Sequence, residues 1–167
     1  MGDRPLNASN MNGNLVAPQW TSLNARLAQG YRVASGPSDA YPEYGSIEKQ
    51  KPYFKALGLD LDHCFNGTLN VSIEPDEFSI IKPEFRFTNV KWTNLTNAED
   101  FSFSRCKVKF QEMEYDGFVY YPDPNTKKGH FQDKSTLEVL APYIEGIKYG
   151  DDLEVFLNKN EIKIIKR

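Results

Sequence analysis

The sequence predicts a mainly β domain, and three observations carry that reading. Aromatic and β-branched runs recur along the 167 residues, several of them alternate apolar with polar positions, and a single segment has the stops of a helix. Gln29–Ser35 sets Tyr31 and Val33 against Arg32 and Ala34, the period of a half-buried strand. Further strands are predicted over Thr68–Ile73, Glu84–Trp92, Phe101–Met113, Tyr115–Tyr121, Asp152–Leu157 and Glu161–Lys166. Within Phe101–Met113 the apolar set passes from Phe101 and Phe103 to Cys106, Val108 and Phe110, so a bulge is expected near Arg105. The last two strands, joined by Asn158-Lys159-Asn160, read as a terminal hairpin. The helix begins at Ser46 or at Pro52, which suits a first turn, and ends at Leu57 before Gly58. Trp20, Leu23 and Leu27 stand at near-helical spacing and predict a short docking turn.

Composition points to one domain. A chain of this length with 40% hydrophobic and 13% aromatic residues can bury roughly two thirds of its unfolded surface. Residues 19–167 are read as that domain, and 1–18, polar and asparagine-rich, as a flexible lead. A net charge of -3 offers no basic footprint for nucleic acid. Cys64 and Cys106 lack zinc-site spacing and are expected to be reduced, packed thiols. No run has the eighteen or so apolar residues of a membrane helix, and the first thirty residues lack a signal core, so the expected place is the cytoplasm.

The chemistry concentrates at Gly67-Thr68-Leu69-Asn70. Residues two apart on a strand face one way, so the Thr68 hydroxyl and the Asn70 amide oxygen share a side while Leu69 and Val71 take the other. Two neutral oxygens suit Mg²⁺ where a nucleotide supplies the negative charge and water fills the remaining positions. Gly67 would let backbone approach that ligand. The same residues also allow a plainer reading, in which Asn66-Gly67 is a turn, Thr68 a strand former and Asn70 a backbone cap.

Three stretches, in order, resemble the archaeal CTP-dependent riboflavin kinase family from about Gln29 to the C-terminus. They are Gly30-Tyr31-Arg32-Val33-Ala34-Ser35-Gly36; Pro52-Tyr53-Phe54-Lys55-Ala56-Leu57-Gly58-Leu59 with Asn66-Gly67-Thr68-Leu69-Asn70-Val71; and Leu137-Glu138-Val139-Leu140-Ala141-Pro142 with Tyr149-Gly150-Asp151-Asp152-Leu153-Glu154-Val155. The resemblance implies a compact cradle-loop β-barrel of six to seven strands with one or two short helices, and the helix that ends before Gly58 is expected to plug a barrel end. It implies that riboflavin and a nucleoside triphosphate, CTP in the family, meet over Mg²⁺ to give FMN. Thr68 and Asn70 fall at the metal ligands, Glu138 at the carboxylate that hydrogen-bonds the flavin, and Ser35, Gly36 and Gly67 at the nucleotide. His130 falls where the family has its flavin-binding threonine.

The departures lie at the cosubstrate end. Pro37–Ser46 is longer than the family's glycine loop, and Tyr143–Lys148 is shorter and less basic than the segment that touches its nucleotide. Glu138 sits in an apolar run, where burial demands a partner; a backbone donor, a lysine or a flavin each meets that need. His130 is either a solvated loop residue or a polar contact to substrate, and Lys127 and Lys128 either surface or phosphate-binding. Tyr41, Tyr44, Tyr53, Phe54, Tyr120 and Tyr121 are candidates to stack on a flavin or to pack a core. No catalytic base stands out. A phosphotransferase, a non-catalytic flavin- or nucleotide-binding module and an interaction scaffold on the same barrel all follow from these residues, with protein partners unknown.

Overall fold

The computed structural model describes residues 17–29, 46–127 and 133–167. Strand β1 spans Trp20–Ala28, with Leu23, Ala25 and Leu27 inward and Asn24 and Arg26 exposed. The docking turn expected there is thus corrected to a strand: Ala25, too small to stand out, completes a period of two. Strand Gln29–Ser35 lies outside the described residues beyond Gln29, which is itself not in a strand.

The other strands are β2 (Leu69–Ser72), β3 (Glu77–Ile80), β4 (Phe85–Val90), β5 (Glu99–Phe110), β6 (Met113–Pro122), β7 (Thr136–Leu140), β8 (Asp152–Asn158) and β9 (Ile162–Ile165). The main sheet runs β4-β5-β6-β7-β2-β1-β8, and a further β5–β8 pairing closes it into a ring. Every neighbour in that ring is antiparallel. Closure removes the free edges that an open sheet would present. One edge of β5 is divided, with Phe103 paired to Phe85 of β4 and Cys106 to Leu157 of β8. The mainly β barrel expected from the sequence is present, with β4 appended.

All six ring strands fill the interior, where Leu27, Val71, Val108, Val119, Val139 and Val155 meet. Alternate positions of β5, β6 and β7 face outward into a second core, in which Phe101, Phe103, Phe118, Tyr120 and Leu140 meet the helix. This two-sided burial replaces the bulge expected at Arg105. The β5–β6 register is unbroken from Phe101↔Pro122 to Phe110↔Met113. The apolar phase changes because β5 serves the outer core with its first half and the interior with its second. The irregularity instead lies in β4, between Phe87 and Val90, with Asn89 at φ 58.

Helix α1 (Ser46–Ala56) packs on the outer wall and does not plug a barrel end. Phe54 meets Phe101 and Phe103 edge-on, each at 4.9 Å. Its start is Ser46, so Pro52 lies inside the helix and not in the first turn. The stop at Gly58 is as expected: at φ 109 it lets Leu59 N–H reach Phe54 O at 2.9 Å and its own N–H reach Lys55 O at 3.1 Å. Lys51 is buried and donates from Nζ to the Cys64 carbonyl, which ties the helix to the chain leading into Gly67.

The terminal hairpin is also corrected. Glu161 N–H bonds to Asn158 O at 2.9 Å, yet β9 departs to pair with β3. The run Phe101–Met113 breaks at Gln111 and Glu112, with φ 51 and 69, the two-residue turn of a tight hairpin. Both cysteines are free and buried. Among the described residues no helix is long and apolar enough to cross a membrane.

Candidate functional site

Strand β2 has one buried and one open face, as the alternation requires. Val71 is fully buried and Leu69 packs on the interior, while Thr68 and Asn70 are half-buried on the other side. Strand β7 lies alongside with Leu69 opposite Val139 and Asn70 opposite Glu138. Since Leu137 and Val139 point inward, Glu138 projects outward with Asn70. Thr68 donates from Oγ1 to Glu138 Oε1 at 3.2 Å. Three residues singled out in the sequence therefore converge from two neighbouring strands.

Thr68 and Asn70 border a cavity of about 410 Å³, whose wall also includes Phe65, Gly67, Tyr143 and Lys148. Glu138 is not on that wall; its carboxylate meets the cavity through Thr68. Phe65 N–H bonds to Ala141 O at 2.9 Å, so the approach to β2 and the exit from β7 are fastened into one rim. On that rim the Phe65 and Tyr143 rings lie 5.7 Å apart at a tilt of 51°. Tyr143 is 68% exposed and Phe65 49%, which leaves aromatic surface available to a planar ligand.

Burial pushes the Glu138 carboxyl up from its ordinary value, against the opposing influence of the Lys127 ammonium and the Thr68 hydroxyl. Lys127 is half-buried at the end of a turn in which its own N–H bonds to Asp123 O at 2.9 Å. It acts likewise on Glu99, a second buried carboxylate, which accepts from Trp92 Nε1 at 2.9 Å and is also pushed up by burial. The Lys127 ammonium thus acts on both carboxyls in the same direction, favouring their charged forms. Lys148, on the cavity wall, is held by a bond from its N–H to Asp151 Oδ2 at 2.9 Å.

Ser35, Gly36, His130 and Lys128 lie outside the described residues, as do Tyr41 and Tyr44. The remaining aromatic candidates are placed elsewhere. Tyr53 is exposed on α1, Phe54 and Tyr120 are locked in the outer core, and Tyr121 lies edge-on to Phe78. Phe65, Tyr143 and Tyr149 line the cavity instead. Their signal was position: Phe65 stands two residues before Gly67, and Tyr143 directly follows Pro142.

Among the described residues no group of three or more His, Cys, Asp or Glu converges as a metal cluster. A hydroxyl, an amide oxygen and one carboxylate form an all-oxygen set, which fits a hard cation such as Mg²⁺ and not a softer metal. No protein-family model matches the chain, and no curated protein matches it.

Proposed function

We propose that the chain is a riboflavin-kinase-like phosphotransferase that moves a phosphoryl group from a nucleoside triphosphate, CTP by resemblance, to riboflavin, giving FMN. The observation that carries this reading is the convergence of Thr68, Asn70 and Glu138 beside an aromatic-rimmed cavity of about 410 Å³. That volume is within the range of pockets that hold small ligands.

Thr68 and Asn70 would hold Mg²⁺, which supplies charge neutralisation to the phosphates when bound. Phosphoryl transfer is mostly positioning and electrostatic stabilisation, so the chain's share is to orient two partners. Glu138 supplies the carboxylate for the flavin, and Phe65 and Tyr143 offer a face for a planar ring. Lys148 brings a positive charge to the wall. Nucleotide contacts at Ser35 and Gly36, and a substrate contact at His130, complete the set by resemblance. On this reading the chain works in the cytoplasm on small molecules, with neither nucleic acid nor membrane as partner.

A second reading, a non-catalytic flavin- or nucleotide-binding module, is favoured by the single lysine on the described wall, a modest charge for a triphosphate. A thermal-shift panel of riboflavin, FMN and four nucleoside triphosphates, each with and without Mg²⁺, tests both readings beside a turnover assay. Turnover with any of the four supports the kinase. Shifts without product support the module, and no shift at all sinks both.

A further inference from the structure

We propose that Glu138 is the third protein ligand of a divalent-cation site with Thr68 and Asn70, so that the ion binds before any nucleotide arrives. The inference rests on the cation pair of the reading above and gives the carboxylate a role beyond the flavin.

Two neutral oxygens carry no charge to offset the dehydration of a hard cation, so the Thr68–Asn70 pair alone would wait for phosphate. The fold removes that need. Glu138 faces Asn70 across adjacent antiparallel strands, where opposed Cβ atoms stand about 4.5–5.5 Å apart. Its Oε1 lies 3.2 Å from Thr68 Oγ1. Neighbouring ligands of an octahedral Mg²⁺ are about 2.9 Å apart, given bonds of 2.0–2.1 Å, and those of the larger Ca²⁺ are farther apart. The observed pair therefore needs to close by only a few tenths of an ångström to share one Mg²⁺. A cation in that position would exchange the Thr68–Glu138 hydrogen bond for two coordination bonds, and the half-buried strands would hold both oxygens in place.

The test is Mn²⁺ binding to the full chain, followed by electron paramagnetic resonance without flavin or nucleotide. One saturable site, displaced by Mg²⁺, is expected, and Glu138→Gln should weaken it by at least about tenfold. A wild-type chain that takes up no Mn²⁺ overturns the proposal, as does a Glu138→Gln variant that binds like wild type. Asn70→Asp gives an independent check by setting a second carboxylate opposite the first. Its melting temperature should rise with Mg²⁺ by more than that of wild type, and indifference to Mg²⁺ would count against the site. Riboflavin and nucleotide titrations on the same samples separate the outcomes. Mn²⁺ bound through Glu138 without flavin or nucleotide binding leaves this inference standing and removes the kinase.

Discussion

That Thr68 and Asn70 stand apart from the buried side was legible from the sequence because a strand's period of two is local, and the structure leaves Asn70 on the open face of β2 and Thr68 half-buried directly before it. Replacing them with Thr68→Val and Asn70→Leu should keep the fold, since Val71 and Leu69 supply the buried side, and should abolish any Mg²⁺-dependent nucleotide shift. A circular-dichroism spectrum and a thermal-shift assay together check that outcome. Their neighbour across the sheet was less legible: that Glu138 meets Thr68 depends on strand register, which no single segment encodes. Among the aromatic candidates Phe54 and Tyr120 took the core-packing alternative, because aromatic residues serve cores and sites alike. Glu99 carries a second residue-scale prediction. Burial raises its carboxyl above 4.5, so the folded chain binds that proton more tightly than the unfolded chain. Stability must then fall as pH rises from about 4.5 through the raised value. Glu99→Gln removes that dependence, and its melting temperature should decline less than wild type's between acid and neutral pH. Parallel curves would refute this.

At the scale of elements, β5 shows why an apolar phase change is ambiguous. A bulge and a strand shared between two cores leave the same trace in sequence, and only the unbroken β5–β6 register distinguishes them. Gln111 and Glu112 form the intervening turn without the Asn or Gly that would mark it, so the boundary passed unseen. Helix α1 was legible at its glycine stop, while its start was narrowed only to Ser46 or Pro52; the structure takes Ser46, because Pro52, which resembles a first-turn residue, lies well inside. Strand β6 also contains a tight point. A Cβ at Gly117 would stand 2.4 Å from Leu140 O and 3.3 Å from Ala141 Cβ. Gly117→Ala should therefore push β7 outward and cost about 1–3 kcal/mol, an overpacking penalty. Because β7 also carries Glu138, ligand shifts should weaken with it. An unchanged urea midpoint would show that the wall can yield.

For the molecule as a whole, the sequence conveyed the β class and most strand positions, while ring closure depends on pairings of β8 with both β1 and β5 that only the assembled chain displays. The interior and the outer core share β5, β6 and β7 as a common wall, so neither can dissolve alone. Trp92, 3% exposed, lies in the outer core, and Trp20, 38% exposed, stands on the outward face of β1, a strand whose other face fills the interior. Single-tryptophan forms, Trp20→Phe and Trp92→Phe, should lose fluorescence at the same denaturant concentration as the far-UV signal. Separate midpoints would mean two independent cores. The short strand β2 has a further consequence: Asn70, Val71 and Ser72 are gripped on both edges, by β1 and by β7, inside a closed hoop. Asn70 is thereby set like a fixed jaw, with Thr68 directly before the strand and tied to Glu138, while Phe65, Tyr143 and Lys148 stand on stretches outside the strands. Selectivity for a different cargo can then be retuned in those stretches without resetting the jaw.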